Sequence, residues 1–419
     1  MGTFQRARAG EGMIPVEEAQ RRVLKEVALL DIEQVPLADA LGRVLRENVF
    51  APSDLPERDN SAMDGYAVRA EDIAGASDAS PSILRVVGNL AAGTVAALSV
   101  ERGTAIRIMT GALMPDGADT VAHVEITDGG SESVRVARPL KRGTNVRSRA
   151  EDMRQGDLVL LDGTPLHAAE VGVLASVQRA TVGVGRRPTV AILSTGDEIV
   201  EIDQQRGPGQ VVNSNSYSLA ALVEEAGAIP RRLGIVRDSL EDTRRAIESA
   251  LQADFIISSG GVSAGAYDFV KDALDDLGAE TRFWQIAMKP GKPVVLSRLR
   301  DRLYFGLPGN PVSCMVAFFL FVAPAIRKAM GQRTNLLSPT VMIRLDAPLK
   351  SKGDRRSYLR IRVVARDGVL IGLPMKAQGS GVSTSMIQAN ALAVLEEGIT
   401  LADAGELVPA VLIGPIASE

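Results

Sequence analysis

The 419-residue chain has one cysteine, Cys314, and two histidines, His123 and His167. One thiol cannot build a disulfide framework, and so few sulfur and imidazole ligands exclude a protein-bound zinc or iron-sulfur centre of ordinary composition. Metal chemistry, if the chain uses any, falls to oxygen ligands. Nor is there an excess of cations. With 47 basic residues against 51 acidic ones and a net charge of -4, the broad positive surface of a nucleic-acid binder is missing, so anion binding must be local. Met1 to Gly12 lacks the apolar core of a secretory signal, and the most apolar run, Met315 to Ile326, is too short to span a bilayer. The expectation is a cytoplasmic protein with no membrane or nucleic-acid partner. No Walker motif occurs, and the Gly-x-Gly pairs starting at Gly10, Gly183, Gly207 and Gly379 lack the third glycine of a dinucleotide fingerprint. Ordinary kinase and dehydrogenase readings lose support.

What is present exceeds one core, and length alone suggests several domains. Val16, Ala19, Val23, Leu24, Val27 and Leu30 share one helical face, and a second amphipathic helix is expected near Leu37 to Arg46. From Asp54 to about Arg149 the pattern changes to short β-type runs, Ile83 to Val87, Thr104 to Met109, Asp119 to Glu125 and Ser133 to Ala137, separated by turns. Between about Arg187 and Gly331 strands alternate with helices: Val190 to Leu193, Ser216 to Ala226, Leu233 to Val236, Leu240 to Leu251, Phe255 to Ile257 and Phe269 to Leu277. That alternation predicts a parallel sheet, and in such sheets ligands bind at the carboxyl ends of strands. Beyond about Asn335 short alternating strands return, as in a small β domain. The Met315 to Ile326 run reads as a buried helix following the start signal Asn310-Pro311.

The loops after the strands carry the chemistry. In Lys289-Pro-Gly-Lys292-Pro two prolines stiffen a turn and a glycine permits the bend, so both ammonium groups leave a defined backbone, an arrangement that suits an oxyanion better than two solvated lysines. Leu307-Pro-Gly-Asn-Pro-Val-Ser313 follows, with backbone N-H groups at a helix start facing the same region. Ser259-Gly-Gly-Val-Ser263 fits either a tight structural turn or a phosphate loop. Glu198, Asp238 and Asp268 all follow strands of one sheet, where carboxylates hold a hard Mg²⁺ against phosphate oxygens, although capping of the next helix competes as the role of Asp238. Arg355 and Arg356 offer guanidinium donors or form an exposed basic turn. The segment Asp59-Asn-Ser-Ala-Met-Asp-Gly-Tyr66 is an ordered polar loop, denser in polar groups than a simple turn needs. Cys314 and His123 fit structural positions.

Together these stretches, with Met109-Thr-Gly-Ala112, Gly117-Ala-Asp119, Glu151-Asp152 and Ser194-Thr-Gly-Asp-Glu198, resemble the MoeA family of molybdopterin molybdotransferases, which includes the E domain of gephyrin. The resemblance spans nearly the whole chain. It implies a multidomain α/β chain: a central doubly wound, mostly parallel α/β domain of molybdopterin-binding type at 187-333, a β-rich module at 54-149, a discontinuous N-terminal helical and linking domain at 13-53 and 150-186, and a small β-barrel-like C-terminal domain at 334-419. It implies a homodimer with a shared active site, a molybdopterin adenylyltransferase upstream, and Mg²⁺-dependent reaction of adenylylated molybdopterin with molybdate to give molybdenum cofactor and AMP. Lys289, Lys292, Ser313, Arg355 and Ser380 carry over as the molybdate-side set. Asp59, Thr110 and Asp152 carry over from the β-rich module, facing the partner subunit. Glu198, Asp238 and Asp268 carry over as metal or nucleotide-site carboxylates, with Ser259, Gly260, Gly261 and Ser263 as the phosphate loop, and Pro308 and Gly309 beside it. The chain departs from the family pattern at Leu113, where a proline is usual, and at Asp354, where a glycine commonly precedes the arginines and which sets a carboxylate beside Arg355. Two alternatives stay open: a gephyrin-like, peptide-binding scaffold dimer without turnover, and a nucleotide-binding enzyme acting on another adenylylated compound.

Overall fold

The computed structural model describes residues 12–262 and 269–418. The chain divides into two compact units, one of Met1–Glu47, Asp162–Val171 and Thr181–Glu419, the other of Asn48–Leu161 and Gly172–Ala180.

In the larger unit, strands Thr189–Thr195 and Phe255–Ser259 are buried along nearly their whole length, as strands covered on both faces must be. Six strands lie in the order Ile229–Val236, Thr189–Thr195, Phe255–Ser259, Arg302–Leu307, Pro293–Leu299 and Glu280–Gln285. The first four are mutually parallel and the last two join antiparallel, which is the mostly parallel sheet expected. From Thr189–Thr195 the chain passes first to one side of the sheet, to Ile229–Val236, and then to the other, to Phe255–Ser259. The strand order therefore reverses between Thr195 and Ser259, where such sheets open a crevice.

The apolar helix begins at Pro311, where the start signal places it, and carries an irregularity that the sequence does not announce. It runs Pro311–Ala317, widens into a π-turn at Phe318–Val322 and continues as Ala323–Ala329. The cause is Pro324, which has no N-H to give the carbonyl four residues back, so the ladder loosens instead of breaking. That orphaned carbonyl, on Leu320, accepts a 3.2 Å hydrogen bond from Gln20 Nε2. The 19 residues Pro311–Ala329 are long and apolar enough to cross a membrane by length and composition, but 78% of the stretch is buried inside the fold. It forms the centre of the core, with Val312, Phe318, Phe321 and Ile326 fully covered.

The N-terminal helix Val16–Glu26 buries Val16, Ala19 and Val23. It stops short of Leu30, whose N-H donates instead to the Ala329 carbonyl at 2.8 Å. The helix expected at Leu37 to Arg46 does not form. Only a single turn, Leu37–Asp39, is present; Gly42 then takes a positive φ of 74°, and the N-H groups of Leu45 and Arg46 donate to the carbonyls of Thr164 and Gly183. Pairing with distant segments overrides the local helical period.

Strands Arg356–Arg366, Val369–Pro374, Thr340–Leu345, Leu407–Leu412 and Ala391–Leu395 close into a small barrel. Closure comes from the long strand, which pairs Ala391–Leu395 through Ser357 to Ile361 and Val369–Pro374 through Ile361 to Arg366. Met288–Lys289 adds parallel to its start, opposite Arg356 and Ser357, so the lysine turn is tied to the barrel as well as to the α/β sheet.

The smaller unit holds a five-stranded sheet ordered Thr120–His123, Gly65–Val68, Thr104–Ile108, Ser82–Leu90 and Ser133–Val136. Tyr66, Val68, Leu84 and Val134 form its core.

Candidate functional site

The carboxyl ends of the parallel strands open into a cleft of about 740 Å³. Its floor is a nest of backbone. Gly260 and Gly261 both take positive φ, 92° and 66°, and a Cβ on either would stand 2.7 Å from an oxygen of Thr195, so only glycine permits this approach. Gly309 packs beside them at ordinary contact distance: a Cβ there would lie 3.6 Å from Gly260 Cα. Asn215 Nδ2 fastens the two loops, donating to Ser259 Oγ at 2.7 Å and to the Gly309 carbonyl at 2.8 Å. Its Oδ1, and the hydroxyl of Thr195, are buried without a hydrogen-bond partner among the described residues. Each such orphan costs about 1–3 kcal/mol, and both residues line the cleft.

Of the residues singled out in the sequence, Ser259, Gly260, Gly261, Pro308, Gly309, Glu198 and Asp238 line this one cleft. Ser263 and Asp268 lie outside the described residues. Helix capping no longer competes for Asp238: the helix Leu240–Ala250 is capped by Ser239, whose Oγ accepts from Asp242 N. Instead Asp238 Oδ2 accepts from Asp197 N at 3.2 Å, and Asp197 Oδ1 accepts from Asp238 N at 3.3 Å, which braces the two loops together. Among the described residues no group of three or more His, Cys, Asp or Glu gathers as a metal cage. Glu198 and Asp238 fit a Mg²⁺ that takes one or two carboxylates and completes its shell with water and substrate oxygens.

The second half of the site lies at the start of the buried helix. Asn310 is the N-cap residue and Pro311 follows, as expected, although the Asn310 side chain makes no capping bond. The lysine turn packs against this start: Gly291 has φ of 104°, and a Cβ on it would lie 3.7 Å from the Ser313 carbonyl oxygen. Lys292 is exposed, Lys289 is half-buried, and the adjoining Pro293 lines the cleft. Ser313 is buried in the helix's first turn. The Ser380 carbonyl accepts from Val312 N at 3.1 Å, which brings a loop of the barrel domain to the helix start, and Gly381 lines the cleft. The arginine pair divides. Arg356 is committed to Glu396, at 2.8 Å, and to Glu17. Arg355 donates from Nη1 to the Met288 carbonyl at 3.3 Å, next to Lys289, and from Nη2 to Asp354 Oδ2 at 3.0 Å. That hydrogen bond from Arg355 holds the Asp354 carboxyl below its ordinary value, with Lys289 adding to the effect.

Asp59, Thr110 and Asp152 belong to the smaller unit and are exposed. Asp59 Oδ1 accepts from Arg149 N at 2.7 Å, Asp152 N donates to the Leu55 carbonyl, and Thr110 donates from N and Oγ1 to Asp64 Oδ1, both at 2.7 Å. Those two bonds lower the Asp64 carboxyl.

Sequence reasoning missed Thr195, Asn213 and Asn215. Asn213 Oδ1 accepts from Ser194 Oγ at 2.7 Å and its Nδ2 donates to Glu201 Oε1 at 2.9 Å, fixing the strand end that presents Thr195. The available signal was Asn213-Ser-Asn215, a polar triplet opening the helix Ser214–Glu225.

With this geometry in hand, known proteins supply a frame. Residues 14–178 match the MoeA N-terminal region (domain I and II), 191–328 a probable molybdopterin binding domain, and 342–413 the MoeA C-terminal region (domain IV). A molybdopterin molybdenumtransferase of a Nostoc species is 42% identical over 383 residues, covering 90% of this chain and 87% of the relative. That of Bacillus subtilis is 36% identical over 406 residues, covering 96% and 94%. The crystal structure of a molybdopterin biosynthesis MoeA protein from Pyrococcus horikoshii superimposes with a TM-score of 0.81 at 30% identity, covering 96% of this chain and all of the other. Matches of this identity along almost the full length, over the fold and cleft described, establish that the chain belongs to the MoeA family of molybdopterin molybdenumtransferases.

Proposed function

We propose that this protein inserts molybdate into adenylylated molybdopterin and releases AMP. The observation that carries the reading is the meeting of two different anion sites at one helix start: a glycine nest with unsatisfied Thr195 and Asn215, and beside it a separate cationic turn. The nest suits the phosphates of the adenylylated substrate, because backbone N-H groups at strand ends approach phosphate without a side chain in the way. Lys289, Lys292 and Arg355 then remain for the second oxyanion, molybdate. The protein's contribution is positioning and charge neutralisation rather than covalent chemistry. Glu198 and Asp238 would hold a Mg²⁺ against the pyrophosphate oxygens, where its charge would neutralise the departing phosphate.

Further parts of the reading rest on the family's arrangement. Asp59, Thr110 and Asp152 serve the cleft of a second copy, so the active form is a homodimer. An adenylyltransferase supplies the substrate, and the work is done in the cytoplasm. A scaffold without turnover would leave Thr195 and Asn215 buried at a cost and without purpose. The test is release of AMP from adenylylated molybdopterin on addition of molybdate and Mg²⁺. Lys292→Ala should raise the KM for molybdate on the order of tenfold or more while leaving pterin binding near its original strength, one charged hydrogen bond being worth about that factor. Equal loss of both would remove Lys292 from the molybdate side, and no Mg²⁺-dependent AMP release would refute the reaction.

A further inference from the structure

Among the described residues Arg360 is the largest fully buried side chain, with 0% of it exposed. It lies in the long barrel strand, inside the fold, where an arginine is rarely found without a carboxylate. No carboxylate meets it among the described residues. Its guanidinium instead grips one loop: Nη2 donates to the carbonyls of Ala377 at 3.1 Å and Gly379 at 2.9 Å, and Nε donates to Ser385 Oγ at 3.1 Å. The loop grips back. Gln378 Oε1 accepts from Arg360 N at 3.0 Å, and Gln378 Nε2 donates to the Arg360 carbonyl at 2.8 Å. Nη1 has no partner among the described residues.

A buried guanidinium with spare donors and no counter-ion is costly, and the core would be more stable with an apolar residue of similar volume. What the arginine secures is a shape. The segment from Ala377 to Thr384 forms no strand or helix, so its course depends on what holds it from beneath. Ser380, whose carbonyl receives Val312 N at 3.1 Å, and Gly381, which lines the cleft, lie between the points that Arg360 holds. Only a planar fork reaches two carbonyls and a hydroxyl at once; a lysine ammonium brings one point charge on a flexible stem.

We infer that Arg360 is a positioning residue that sets the reach of the Ala377 to Ser385 loop into the oxyanion side of the cleft, and so couples the barrel domain to molybdate binding. The inference rests on the functional reading above. It makes Arg360 act through Ser380 and Gly381 rather than by touching substrate.

The experiment compares wild type, Arg360→Lys, Ser385→Ala and Lys292→Ala as full-length proteins, reading separately the KM for molybdate, the KM for adenylylated molybdopterin, and the melting temperature. Arg360→Lys keeps the charge but not the fork, and is expected to raise the molybdate KM on the order of tenfold with the pterin KM little changed, since a displacement of about 1 Å suffices for such losses. Ser385→Ala removes one of the three gripped groups and leaves the buried charge in place, so it should shift the molybdate KM in the same direction by a smaller factor; it also serves if Arg360→Lys does not fold. A lowered melting temperature with both KM values unchanged, in whichever variant folds, would show a merely structural arginine and overturn the inference. If Lys292→Ala shifts the molybdate KM and the loop variants do not, the positioning role alone fails. If none of the three shifts it, the oxyanion assignment fails with it.

Discussion

Removing the Asp254 carboxylate tests whether one buried cross-link holds two adjacent parallel strands in register under the cleft. Asp254 precedes Phe255–Ser259 and reaches the foot of Thr189–Thr195. Its Oδ2 accepts from Arg186 Nη1 at 2.9 Å, Thr189 N at 2.8 Å and Thr189 Oγ1 at 2.9 Å, while Oδ1 accepts from Arg186 Nη2 at 2.8 Å. The Asp254 side chain is 10% exposed and that of Arg186 36%. Breaking a fully buried pair by deleting one partner costs about 3–5 kcal/mol, and the access of Arg186 to water lowers this, so Asp254→Ala should lose about 2–3 kcal/mol. The pH dependence has a definite sign. Burial by itself raises the carboxyl, but the bonds from Arg186 and Thr189 outweigh it and hold Asp254 below the ordinary 3.8. A carboxyl depressed in the folded state stabilises in full above its unfolded value and loses that contribution as pH falls through its folded value. Urea unfolding followed by the fluorescence of Trp284, the single tryptophan and a residue of the same sheet, is the assay. The gap between wild type and Asp254→Ala should hold from pH 7 to about pH 5 and narrow below about pH 4. A gap under about 1 kcal/mol at pH 7, or one that already closes between pH 7 and pH 5, would refute the reasoning.

Two further outcomes follow from the same geometry. Asp354→Gly removes the carboxylate that now occupies Arg355 and should lower the KM for molybdate; an unchanged or raised KM would mean that Arg355 does not serve the oxyanion. Burial pushes the Cys314 thiol up to about 12, its hydrogen bond to Ser259 only partly opposing that rise, so the folded protein should not react with Ellman's reagent at pH 8 and should react fully in urea. Rapid stoichiometric labelling of the folded chain would contradict the buried position.

The features that the sequence alone determined are those whose physics is local. Pro290, Gly291 and Pro293 restrict their own backbone, Asn310-Pro311 signals a helix start within two residues, and alternating apolar strands and helices force a parallel sheet with its loops at one edge. The stiffness of the lysine turn was therefore legible, whereas Ser259 to Ser263 fitted a tight turn as well as a phosphate loop. The rest depended on partners far along the chain. The period from Leu37 to Arg46 reads as a helix but yields to pairing with Thr164 and Gly183, because tertiary hydrogen bonds outweigh a weak local preference. Met315 to Ile326 reads as a buried helix, but its sequence does not show the π-turn ahead of Pro324 or the bond from Gln20 that satisfies Leu320. Arg360 looks like one more arginine in a β-strand until the barrel closes over it. Asn215 gains its meaning only when Ser259 and Gly309 arrive on either side. Propensity and spacing are carried by neighbouring residues and survive in the sequence; burial, orphaned donors and the meeting of a barrel loop with a helix start exist only once distant segments are packed together.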